Sequence, residues 1–98
     1  MIARHGTLTG SSTVDTVTIT SIDPVVSYVV VSLPQGSGDA YFTVATNGVT
    51  AATPTVAGND TYHLSPARLE WPVEVGRANA LSIKIISTAA LPYSIHAE

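Results

Sequence analysis

Leu81, Ile83 and Ile85 alternate with Ser82 and Lys84, and Val17-Thr18-Ile19-Thr20 repeats the same apolar-then-polar pattern. Successive side chains of a strand point to opposite faces, so a period of two marks a strand with one face buried and one wet. No apolar period of 3.6 residues runs for the length of a helix anywhere in the sequence. The chain is thereby confined to β-structure, and the remaining question is how many strands it makes and how they pack.

Alternation predicts a first strand over residues 13–22, which Asp23-Pro24 ends because proline fixes its own φ and drives the preceding residue out of the helical region. Residues 25–33 are nearly all β-branched or aromatic and continuously apolar, the pattern of a strand covered on both faces. Residues 34–39 form a turn cluster. Alternation resumes over 41–46, followed by Asn47-Gly48, the favoured pair for a two-residue type I′ turn. Residues 51–55 read as loop, closed by Asn59-Asp60, with a strand over 61–64. Residues 67–75 place Leu69, Trp71, Val73 and Val75 on one face, and Pro72 assigns that strand to a sheet edge because proline cannot donate to a ladder. A turn at 76–79, a strand at 81–87, a turn at 89–92 and a strand at 93–96 complete the chain.

Seven or eight short strands about ten residues apart predict an all-β fold, a small antiparallel β-sandwich of jelly-roll-like form in a single domain. A small barrel fits the same spacing. The polar start suggests an N-terminal arm over 1–12, ordered only against a neighbour, ahead of a sandwich domain over 13–98. The expected core includes Val17, Ile19, Val29, Val44, Tyr62, Trp71, Ile83 and Ile85.

With 98 residues the chain suffices for one core. Hydrophobic residues are 45% and charged residues 11%, well below the usual quarter or so, and a surface so poor in charge suits an assembly subunit whose faces are covered by partners. The formal net charge is -3, and Arg4, Arg68, Arg77 and Lys84 are scattered, so no basic stripe is present for nucleic acid. The absence of cysteine removes disulfides, thiolate metal sites and cysteine nucleophiles. No apolar run reaches the eighteen or so residues of a membrane helix, and no signal-peptide pattern follows Arg4, so the expectation is a soluble protein made in the cytoplasm, without a membrane partner.

His5, His63 and His96 are far apart, with no second ligand at a chelating spacing, and they read as surface strand residues; no metal site is expected. Asp39, Asn59 and Asp60 are explained by turn chemistry, lacking the spaced acidic run of a calcium loop. No Gly-x-Ser-x-Gly elbow is present, and no catalytic residue is assigned. Gly36-Ser37-Gly38 lacks the third glycine and the following helix of a phosphate loop, and no cofactor is expected. Asn59-Asp60-Thr61 matches a glycosylation acceptor but reads as an unmodified loop. Trp71, Tyr62, Tyr41 and Tyr93 share the inward parity expected of core, although together they could also line a sugar platform. Phe42 and Tyr28 have the opposite parity, so one of them is expected to be exposed. With Val30 and Val31 of the apolar run, Tyr28 and Phe42 are the interface candidates.

Tyr41-Phe42-Thr43-Val44, the phrase Pro-Thr-Val-Ala-Gly-Asn-Asp-Thr-Tyr at 54–62, the strand at 81–87 and Tyr93-Ser94-Ile95 together carry a resemblance. In these segments, roughly the C-terminal two thirds, the chain resembles small β-sandwich virion proteins of tailed bacteriophages, especially phages of actinobacteria. The resemblance implies a non-enzymatic head decoration or minor capsid protein, made in the host cytoplasm and located in the virion. Its implied partner is the major capsid protein or another virion protein, with the chain homo-oligomeric or lattice-bound. A tail or fibre component acting as a carbohydrate-binding module is the alternative.

Overall fold

A computed structural model describes residues 1–35 and 38–98 of the chain. It contains eight strands: β1 (Ile2–Thr7), β2 (Thr13–Ile19), β3 (Val26–Ser32), β4 (Ala40–Thr46), β5 (Tyr62–Leu64), β6 (Glu70–Ala78), β7 (Leu81–Ser87) and β8 (Pro92–Ala97). They form two four-stranded sheets, ordered β1-β8-β3-β6 and β2-β7-β4-β5. There is no helix among the described residues.

The antiparallel pairs β1 with β8, β2 with β7, β3 with β6 and β4 with β5 are those of one long hairpin nested on itself. That hairpin is rolled so that β3 also meets β8 and β4 also meets β7. Eight strands connected in this way make a jelly roll, which bears out the sandwich expectation.

Between the sheets lies a core in which Val29, Val31, Phe42, Leu64, Ile83, Ile85 and Ile95 have no exposed surface. Each such side chain contributes about 1.5–3 kcal/mol by leaving water. Of the expected core, Ile19, Val29, Ile83 and Ile85 are buried, and Val17, Val44, Tyr62 and Trp71 are partly buried against them.

Three local expectations are corrected. Residues 1–12 are not an arm: residues 2–7 are β1, paired along their whole length with β8, so the segment is ordered by its own chain. The strand over 25–33 is not covered on both faces, since Val29 and Val31 face the core while Tyr28 and Val30 face outward. The turn expected at 76–79 is strand as far as Ala78. Gly76, at φ 68, serves a bulge instead, where Val75 to Arg77 oppose the single residue Ser27 between the pairs Val26–Ala78 and Tyr28–Glu74. Asn47 and Gly48, at φ 56 and 89, make the expected left-handed turn, closed by the Val49 N–H donating to Thr46 O, and the chain then enters the long loop over 49–61, which contains the loop expected at 51–55. In the turn cluster over 34–39, Gly36 and Ser37 lie outside the described residues.

Candidate functional site

Directly paired residues of an antiparallel sheet share a face, so the registers fix what the β1-β8-β3-β6 sheet shows to solvent. One row across it is His5, Ser94, Ser32 and Glu70, and the next is Ala3, His96, Val30 and Pro72. Tyr28, opposite Glu74, extends this face and is 51% exposed. Met1, Tyr28, Val30 and Pro72 line a hollow of about 350 Å³ that ends at His96. On the other side of His96 a wider hollow of about 750 Å³ runs past His5, Ser32 and Glu70 to Leu69 and the Pro66-Ala67 turn. The result is a shallow trough, mostly apolar in its lining, with His5, Ser94 and His96 as a polar cluster between the two hollows.

At its centre, Ser94 Oγ lies 3.0 Å from His5 Nδ1 and 3.2 Å from His96 Nε2. The two imidazoles stand edge to face, 5.8 Å apart. Sequence reasoning treated these histidines separately because His5 and Ser94 are 89 positions apart, and only the β1–β8 pairing brings them together.

The 49–61 loop covers the part of the other sheet's outer face that carries Thr43 and Ser82. Ser82 Oγ accepts the Ala51 N–H at 3.0 Å, and the Thr43 hydroxyl donates to Ala52 O. Both hydroxyl residues are buried as a result, as are Ala51 and Pro54. Asn47 ties this end of the molecule to the β6–β7 connection, accepting the Asn79 N–H at 2.9 Å and donating to Arg77 O at 3.2 Å.

Near the opposite end of that face, Tyr41 and His63 stack with centroids 4.4 Å apart, and His63 Nε2 is 2.9 Å from Asp39 Oδ1. The His63 and Asp39 side chains are about half exposed. Of the four aromatics considered for a sugar platform, Tyr41 alone stands on an outer face. Tyr62 and Trp71 pack against each other toward the core, and Tyr93 occupies the space that the missing Gly6 side chain leaves.

Each sheet edge carries a device that discourages pairing with another strand. Arg4 on β1 and Asp15 on β2 fall by register on the core-facing side of their strands, where a neighbouring edge would have to desolvate them. Asp15 is held there by the backbone N–H and hydroxyl of Thr9, at 2.8 and 2.7 Å. β6 carries Pro72, on the edge strand where sequence reasoning placed it, and β5 is three residues long. The sheet faces, not the edges, are therefore the surfaces left open for contact.

Two of the four interface candidates, Tyr28 and Val30, lie on the outer trough. The other two are corrected: Val31 and Phe42 are 0% exposed and serve the core. Phe42 stacks on Tyr62 at 5.0 Å and pairs with Ile85, so Phe42 points in and Tyr41 out, the reverse of the parity expected. Burial on both sides of β4 misled that reading, because Thr43 on the outer face is covered by the loop. His63 and His96 are exposed strand residues, as expected.

No protein-family profile matches the sequence, and no curated protein matches it significantly. Among solved structures the chain is similar to a crystal structure of PirA, with a TM-score of 0.55 and 15% identity over 98% of this chain and 93% of that one. At that identity the likeness is one of fold, and it establishes this chain as a small all-β domain built from two antiparallel four-stranded sheets.

Proposed function

We propose that the chain is a non-enzymatic structural protein of a phage particle, a decoration or minor capsid protein that docks on the shell lattice through the outer face of β1-β8-β3-β6. The observation that carries this reading is the open stripe of Tyr28, Val30 and Pro72 on that face, in a chain with only 11% charged residues. It joins the resemblance in residues 54–62 to phage virion proteins. A four-stranded face of this length covers on the order of 400 Å², about half of what one partner contributes to a stable specific interface. A single contact is then weak, and simultaneous contacts with repeated lattice subunits supply the avidity.

The test is incorporation into particles. The wild-type chain should co-purify with intact virions and appear at the shell surface by cryo-electron microscopy. Val30→Lys should remain folded but be lost from virions, while Thr18→Lys on the other sheet is retained. Failure of the wild-type chain to appear in virions, or retention of Val30→Lys, overturns the reading.

The Tyr41–His63 stack beside Asp39 favours a second reading, a carbohydrate-binding module of a tail or fibre. An exposed ring next to a carboxylate is the pairing that such recognition uses, one for the sugar's apolar face and one for its hydroxyls. Glycan-array binding that Tyr41→Ala abolishes would establish it in place of the first.

A further inference from the structure

We propose that His5 and His96, with the Ser94 hydroxyl between them, form a binding site for a borderline divalent cation such as Zn²⁺, Ni²⁺ or Cu²⁺ on the outer face of the β1-β8-β3-β6 sheet. A serine hydroxyl has one proton, so while it bridges two neutral imidazoles it donates to one ring nitrogen and accepts an N–H from the other. The accepting ring already carries its proton on the nitrogen remote from Ser94. If the donating ring moves its own proton to its remote nitrogen, His5 Nδ1 and His96 Nε2 both present lone pairs to the same small volume. No proton is lost from a neutral ring in that shift.

The spacing suits one ion. Ligands about 2.0–2.1 Å from a metal at angles between square and tetrahedral are about 2.9–3.4 Å apart. The Ser94 oxygen is 3.0 and 3.2 Å from the two nitrogens. The edge-to-face packing of the rings, at 87°, lets the nitrogens converge without the rings colliding. Both histidines are exposed beside the wider hollow, so water completes the coordination sphere. Glu70 in the same cross-strand row adds negative potential, but it is three strands across from His5 and is not a direct ligand.

Imidazole selects these ions over Mg²⁺ and Ca²⁺, with Cu²⁺ the tightest of the series. No cluster of three or more His, Cys, Asp or Glu side chains occurs among the described residues, so the site rests on two imidazoles and binds more weakly than a site with three or four such ligands.

Isothermal titration of CuCl₂ and ZnCl₂ into the chelator-stripped full chain tests the site in isolation, whether or not the docking reading holds. The expected result is one ion per chain, with His5→Ala and His96→Ala each binding about tenfold more weakly or worse and His63→Ala binding as wild type. No binding, or an equal loss in His63→Ala, overturns the proposal. A measurement on the wild-type chain keeps the test independent of how the variants fold: trace Cu²⁺ should broaden the ring resonances of His5 and His96 before those of His63. Broadening of His63 first, or of all three together, is evidence against the site.

Discussion

The ring of Tyr62 stands edge-on to Trp71 with centroids 5.4 Å apart, and this contact joins the outermost strand of one sheet to the outermost strand of the other. Phe42 stacks on Tyr62, and the Arg68 guanidinium sits 3.7 Å from the Trp71 ring centre, so the column closes one open side of the sandwich. Aromatic pairs contribute about 0.5–1.5 kcal/mol beyond their buried area. Trp71→Ala should therefore cost about 2–4 kcal/mol in urea unfolding, discounted from the fully buried case because the ring is only partly buried. Arg68→Ala should cost less than about 1 kcal/mol. A Trp71→Ala cost as small as that of Arg68→Ala would mean that backbone pairing alone closes this side.

Val30 and Val31 are neighbours in the chain and opposites in the fold. Val31→Lys forces an ammonium between the sheets, and the chain should fail to fold or lose more than about 3 kcal/mol. Val30→Lys places the same group on the outer face and should change stability by less than about 1 kcal/mol. Circular dichroism during denaturation separates the two, and similar costs would mean that the register of β3 is wrong.

Ser82 is the latch of the 49–61 loop. Ser82→Ala leaves the buried Ala51 N–H without its acceptor, and an unsatisfied buried group costs about 1–3 kcal/mol. The accompanying signature should be faster hydrogen exchange at Ala51 with little change in the amides of β7. Unchanged exchange at Ala51 would show that other contacts hold the loop.

Gly10 and Gly48 both have positive φ, at 80 and 89, and differ in what surrounds them. A methyl group at Gly48 meets nothing within 4 Å, so Gly48→Ala should cost only the left-handed backbone penalty of about 1–2 kcal/mol. At Gly10 the added carbon would lie 2.8 Å from the Ala90 backbone nitrogen, in a segment tied to 88–91 through the Ser11 N–H and Thr88 O. Gly10→Ala should cost clearly more, and equal melting temperatures for the two variants would contradict the close approach.

Much of the strand inventory was legible because most strands bury one face and wet the other. Alternation in Val17 to Ile19 and Leu81 to Ile85 reports that geometry directly, and Pro72 marks an edge strand for a backbone reason that needs no tertiary knowledge. Alternation failed where a third layer intervened: the 49–61 loop buries Thr43 and Ser82 on the outer face, so Phe42 and Tyr41 were assigned to the wrong sides. It also failed at the start, where Arg4, His5 and Gly6 look like an unstructured polar segment. Their strand is imposed by β8, whose partner register no local pattern encodes. The His5–Ser94–His96 cluster was invisible for the same reason.

The nested pairing sets a limit on how the molecule can be made. β8 lies between β1 and β3, so the sheet that carries the trough has a strand-wide gap until residues 92–97 have left the ribosome. Until then the core-facing valines of β3 have β6 on one side and no neighbour on the other. Pairing over such long sequence separations is also intrinsically slow. Folding of this sheet thus waits for residues 92–97, and a nascent chain stalled before residue 92 leaves strand edges unpaired and apolar surface open to aggregation.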